Sequence, residues 1–215
     1  MNQDVELHKR VCEALKDHRF QVKLNNPGEL EWYRCRRPNS SVYSFDIMCT
    51  TNYIAIFGDL KPSLIFHVVG GINFLAGDDV DYYIHSKLDE PYRSMNELDE
   101  DAFEEWLAGF LYKDLIKNDK PVPENFDEDR PSLKVMLDWY ENDEDQHYSE
   151  GSDAISRWEM LCEHDNELAA ACDIISTYDE NYCDIIPSII KMDSSVKFAL
   201  YMVNEAAKRI LKQIT

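Results

Sequence analysis

Through much of residues 19–69 apolar positions recur every second residue, and on either side of that block they recur every third or fourth. The first pattern is one face of a pleated strand and the second is one face of a helix. A first helix is predicted from Val5 to Asp17, with Val5, Val11, Cys12 and Leu15 available for one face. Phe20, Val22 and Leu24 then alternate with Arg19, Gln21 and Lys23, and Asn25-Asn26-Pro27-Gly28 closes the run as a turn. Leu30 to Arg36 reads as a second strand and Val42 to Cys49 as a third, with Tyr43, Phe45, Ile47 and Cys49 on one face. Tyr53 to Phe57 and Leu64 to Val69 complete the series. Connections this short join antiparallel neighbours, because a parallel pair needs a crossover of a dozen residues or more.

From Gly70-Gly71 onward the period is helical, with short helices expected over Ile72 to Leu75 and Val80 to Leu88. Ser94 followed three residues later by Glu97 has the form of a capping box, and Leu98, Ala102, Trp106, Leu107 and Phe110 recur behind it as far as about Lys117. Pro121 and Pro123 cannot sit in a helix interior, so residues 120–125 are expected to form a linker or turn. Asp129 and Pro131 mark the start of a helix whose apolar face is Leu133, Met136, Leu137 and Tyr140. Further helices are expected near Ser152 to Cys162, from Asn166 to Tyr178 and from Asp193 to the C-terminus, with Pro187 in the first turn of a short helix or in a bend. Val196, Leu200, Val203, Ala207, Ile210 and Ile214 recur at spacings of 4, 3, 4, 3 and 4, which suits either a core stripe or a homodimer seam through the C-terminal helix. The expected fold class is α+β. An N-terminal helix and an antiparallel meander of about five strands occupy 1–77, and an acidic helical region over 78–215 packs on or beside the sheet.

Charge changes this picture. Between Asp78 and Asp184 lie 32 acidic side chains against eight basic ones, a net of -24 in a chain whose total is -20. Phe103, Trp106, Phe110, Trp139, Trp158 and Tyr178 stand inside that block, so it is expected to bury a core rather than stay disordered. Solubility needs a net charge of only about 2 to 8. The excess repels nucleic acid and anionic membranes, and the partner expected is a strongly basic host protein, such as a nucleic-acid-binding enzyme. No apolar run approaches the roughly 20 residues that span a bilayer, and the N-terminus has no stretch of signal-peptide length, which predicts a cytoplasmic location. Cys12, Cys35, Cys49, Cys162, Cys172 and Cys183 fall on separate elements and read as reduced, mostly buried thiols.

The candidate partner-binding residues are therefore carboxylates: Glu97, Glu100, Asp101, Glu104 and Glu105, then Asp127, Glu128 and Asp129, then Glu141, Asp143, Glu144 and Asp145. On a helix begun at Ser94, the spacing of Glu97, Asp101 and Glu104 sets neighbours about 5.4 Å apart, similar to phosphates along a nucleic-acid strand. A second constellation is basic. Trp32, Arg34 and Arg36 alternate onto one strand face, Arg37 follows, and Asp46 and His67 are candidates for the same face. These residues suit capture of an anion such as a nucleotide, or ion pairs with the chain's own acidic helices. A catalytic use of His67 with Asp46 or Asp59 is a third option.

Neither a metal nor a cofactor is expected. Around Asp143, Asp145 and His147 the sixth position of a calcium loop is Tyr148 where Gly is needed, and no Glu stands at the twelfth. Cys162-Glu163-His164 with Cys172 and Cys183 lacks a C-x-x-C pair. Phosphate-cradling glycine motifs, the G-x-S-x-G elbow and the H-E-x-x-H helix are all missing, which favours a binding protein over an enzyme.

The strand block Arg34-Cys35-Arg36-Arg37-Pro38-Asn39-Ser40-Ser41-Val42-Tyr43-Ser44-Phe45-Asp46-Ile47, with Ile54-Ala55-Ile56-Phe57-Gly58-Asp59-Leu60 and Leu64-Ile65-Phe66, resembles a family of small bacteriophage and prophage proteins of uncharacterised activity. The family pattern has Gly where Asn39 stands and a Trp-Pro-Gly turn where Thr50-Thr51-Asn52 stands. The resemblance implies a phage origin and no catalytic residue. By analogy with small acidic phage proteins, it implies an anti-defence inhibitor of the anti-CRISPR or restriction-antagonist kind that acts as a DNA mimic.

Overall fold

The computed structural model describes residues 3–127, 131–142, 149–162 and 167–214. It divides the chain into two compact units, one formed by Met1–Met95 with Met192–Thr215 and the other by Asn96–Lys191. The second unit is thus an insertion into the first. A single cut between residues 77 and 78 does not describe this division, because the last helix belongs to the unit that holds the sheet.

In the first unit, helix α1 (Gln3–Ala14) leads into five strands: β1 (Arg19–Asn26), β2 (Leu30–Arg36), β3 (Phe45–Thr50), β4 (Tyr53–Gly58) and β5 (Leu64–His67). They form one antiparallel sheet in sequence order, as their short connections require. Tyr33, Cys35, Phe45, Ile47, Ile54, Ile56, Leu64 and Phe66 alternate onto the inner face, each at most 2% exposed. Two expectations along these strands are corrected. Leu24 does not continue the face of Phe20 and Val22, because a register irregularity after Val22 sets Leu24 opposite Trp32 on the outer face. Strand β3 begins at Phe45, because Tyr43 adopts φ 53 in the preceding turn, where its backbone N–H donates to Asp59.

After the sheet come α2 (Gly71–Leu75), a turn of π-helix over Val80–Ile84, a 3-10 turn over His85–Lys87 and α3 (Glu90–Arg93). Helix α9 (Ser194–Ile214) closes the unit. Val196, Leu200, Val203, Ala207 and Ile210 are buried in the same core as the inner sheet face and α1, while Ile214 at the end of the stripe is exposed. The start of α9 is capped by Asp193, which accepts the N–H groups of Ser195 (2.9 Å) and Val196 (3.2 Å).

The second unit runs β6 (Asn96–Leu98), α4 (Glu100–Lys117), α5 (Leu133–Asn142), α6 (Glu150–Cys162), α7 (Glu167–Tyr178), α8 (Tyr182–Ile185), a 3-10 turn over Ile186–Ile189 and all but the last residue of β7 (Ile190–Met192), which pairs with β6. The capping box expected at Ser94 does not form. Ser94 ends α3 and its hydroxyl donates to Glu90, Glu97 lies on β6, and Asp99 precedes α4. Phe103, Leu107, Leu111 and Leu115 of α4 pack with Met136, Ala171, Ile175 and Ile189, and the Phe103 ring lies 4.5 Å from that of Trp158. Asp114, only 5% exposed, accepts the Tyr140 hydroxyl at 3.0 Å and the Asn118 amide at 2.9 Å, so this buried carboxylate ties α4 to α5.

Candidate functional site

The acidic surface belongs to one unit alone. Asn96–Lys191 holds 27 Asp and Glu against seven Lys and Arg, a net of -20, while the other unit holds 15 of each. With seven cations in the unit, at least twenty of its carboxylates have no cation of that unit to match. Among the described residues Lys117 pairs with Glu150 at 2.9 Å, Arg157 with Asp173 at 2.9 Å and Lys191 with Glu97 at 3.9 Å.

The first two turns of α4 carry Glu100, Asp101, Glu104 and Glu105, all exposed and none ion-paired among the described residues. Their like charges stand at i,i+4 in two pairs, Glu100 with Glu104 and Asp101 with Glu105, an arrangement that costs helix stability. Placement at the positive end of the helix macrodipole offsets part of that cost. Because Glu97 sits on β6, the predicted three-member stripe shortens to Asp101 and Glu104. Asp127 is exposed on the segment after α4. Glu128, Asp129, Asp143, Glu144, Asp145 and the side chain of Glu141 lie outside the described residues.

The basic strand face has a different character. Arg34 grips Asp46 on the neighbouring strand with two hydrogen bonds, Nε to Oδ1 at 2.9 Å and a terminal nitrogen to Oδ2 at 2.8 Å. Trp32 adds its indole N–H to Asp46 Oδ2 at 3.1 Å, and the Arg34 guanidinium stands 5.2 Å from the Trp32 ring centre. Burial pushes the Asp46 carboxyl up, but the hydrogen bonds from Arg34 and Trp32 outweigh it and hold the group below the usual carboxylate range. Arg37 pairs with Asp17 at 3.0 Å and His67 with Asp89 at 3.1 Å. Of this constellation only Arg36 makes no hydrogen bond or close ion pair among the described residues, though its charge also favours the ionised Asp46, so an anion bound at Arg34, Arg37 or His67 would have to displace a resident carboxylate. The expected pairing with acidic helices is replaced by pairing with strand and loop carboxylates of the same unit.

The catalytic option does not assemble. His67 shares the outer sheet face with Asp46 but lies two strands across and four register positions along, and Asp59 accepts the Tyr43 N–H. A cavity of about 180 Å³ lies beside Glu31, Cys49 and Gly71. Glu31 is 4% exposed and accepts the Tyr33 hydroxyl at 3.1 Å and the Ile72 N–H at 3.0 Å, which makes it a structural tie to α2. A Cβ on Gly71, at φ 58, would stand 2.4 Å from a Glu31 oxygen.

Burial pushes the Cys35 and Cys49 thiols well above their ordinary range and leaves them inert. Cys183 is exposed and Cys12 half-buried. One group of metal-type donors converges among the described residues, His8 and Cys12 on α1 with Glu205 on α9. Reading the sequence for C-x-x-C pairs missed it. The four-residue spacing of His8 and Cys12 on a predicted helix was the available signal. Among the described residues no helix is long and apolar enough to cross a membrane. No family model, curated protein or solved structure matches this chain.

Proposed function

We propose that the protein is a phage-type antagonist that binds a cationic nucleic-acid groove on a host defence enzyme through its acidic unit, and that it works by occupancy rather than catalysis. One observation carries this reading: the whole net charge of -20 resides in Asn96–Lys191, where cations are too few to neutralise it. Glu100, Asp101, Glu104 and Glu105 stand on a helix whose other face is packed, so their positions are set before a partner arrives. A preorganised array of this kind gives fast association and discrimination against neutral surfaces. The resemblance of the strand block to phage proteins supports a host-defence target.

The test is capture of partners on the immobilised chain from nuclease-treated host lysate, at low and high salt, with double-stranded DNA as competitor. A nucleic-acid-binding protein should be retained at low salt, released as the screening length contracts from about 10 Å at 0.1 M to about 3 Å at 1 M, and displaced by DNA. The variant with Glu100→Gln, Asp101→Asn, Glu104→Gln and Glu105→Gln should bind more weakly and with a shallower salt dependence. Retention unaffected by salt, DNA and this variant would overturn the reading.

A further inference from the structure

The geometry points to a divalent transition-metal site, of zinc type, built by His8, Cys12 and Glu205 in the first unit. His8 and Cys12 stand four residues apart on α1 and so share a face one turn apart, and Glu205 reaches them from α9. The three ligand atoms all lie within 4.8 Å of one another. The Cys12 Sγ to His8 Nε2 separation is 3.6 Å. A tetrahedral zinc ion with a thiolate at about 2.3 Å and an imidazole nitrogen at about 2.0–2.1 Å holds those two atoms about 3.6 Å apart. The same separation serves as a sulfur hydrogen bond between the two side chains, so binding needs no rearrangement of this pair. The carboxylate closes on the ion by an approach of roughly 1 Å, within reach of side-chain rotation.

The donor set selects the ion. Thiolate and imidazole favour zinc and other borderline metals over calcium or magnesium, which take oxygen ligands. Glu205 is already oriented: its Oε1 accepts Nε of Arg209 at 2.7 Å, and Arg209 also donates to the Leu15 carbonyl at 2.9 Å. This outer partner leaves the second carboxylate oxygen for the metal and anchors it to the end of α1. Three protein ligands leave a fourth position for water or an external ligand. His8 is exposed while Cys12 and Glu205 are half-buried, which gives the ion an entry path. The site lies wholly within the near-neutral unit and does not depend on the acidic surface.

The full chain without a polyhistidine tag should bind one Co(II), with a thiolate-to-cobalt charge-transfer band, and one Zn(II) should displace it. Cys12→Ser should abolish the band and weaken zinc binding by more than the roughly 10- to 100-fold that loss of an outer partner costs. Glu205→Gln and His8→Asn should weaken zinc while keeping the band, and Cys183→Ser should change neither. Circular dichroism identifies any variant that fails to fold, and the exposed His8 position supplies the reading in that case. Absence of a stoichiometric band, its persistence in Cys12→Ser, or its loss in Cys183→Ser would each overturn the site.

Discussion

The two units handle charge in opposite ways. In the first, 15 acidic side chains balance 15 basic ones, and several pair within it: Arg34 with Asp46, Arg37 with Asp17, Lys197 with Asp81 and Lys208 with Asp78. In the second, 27 carboxylates face seven cations, and an aromatic and aliphatic core around Phe103 holds the helices together against their repulsion. The negative charge of the second unit far exceeds what its ion pairs and the buried Asp114 use. Its retention there is what points to a partner, since like-charge crowding is a cost that solubility alone does not require.

The strongest challenge to this contrast is Phe103→Ala, which should destabilise the acidic unit by about 3–5 kcal/mol. If repulsion opposes that core, 1 M NaCl should restore part of the loss in a urea melt, and no restoration would count against stored repulsion. Next in size is a matched pair of ion-pair deletions. Arg34→Met strands Asp46, whose side chain is 11% exposed, and should cost about 2 kcal/mol, whereas Arg157→Met, facing an Asp173 that is 45% exposed, should cost less than about 1 kcal/mol. Equal losses would erase the distinction between structural and surface ions.

Asp193→Ala removes the cap of α9 and should cost about 1 kcal/mol. Hydrogen bonding from Ser195 holds the Asp193 carboxyl below its ordinary range, as Arg34 and Trp32 do for Asp46. Because these folded values are depressed, their stabilisation is complete above the ordinary carboxylate value of about 3.9 and is lost as pH falls through the lower folded values. Urea midpoints of the first unit should therefore drop below about pH 4, and less steeply in Asp193→Ala. The smallest effect expected is a gain. Glu104→Lys turns the repulsive pair with Glu100 into an attractive one, adding about 0.5 kcal/mol to the acidic unit while weakening partner capture. A variant that gained stability and kept full binding would separate the acidic face from function.

Much of the fold was legible in local pattern. Strand β2 spans the predicted Leu30 to Arg36, and the α9 stripe is buried from Val196 to Ile210, with Ile214 exposed at its end. Failures came where tertiary context overrode a short motif. Ser94 and Glu97 match a capping box, yet β7 pairs with the segment holding Glu97 and pulls it into a strand. Alternation alone places Trp32, Arg34 and Arg36 on one strand face, but it does not name their partners. Whether Arg34 meets a ligand or Asp46 depends on cross-strand register, which alternation alone does not specify. The convergence of His8, Cys12 and Glu205 was half visible, as spacing on one helix, and half hidden, because its third member comes from the other end of the chain.

By itself the sequence determined the α+β class, the order of helices and meander, and the excess of carboxylates, because periodicity and composition are local or additive quantities. Tertiary structure alone decided that Asn96–Lys191 is an insertion carrying the whole net charge, and that the last helix returns to the sheet's core. It also decided which ions are consumed inside the protein. Those outcomes depend on which distant surfaces bury one another, and burial is a property of pairs of elements that no single segment contains.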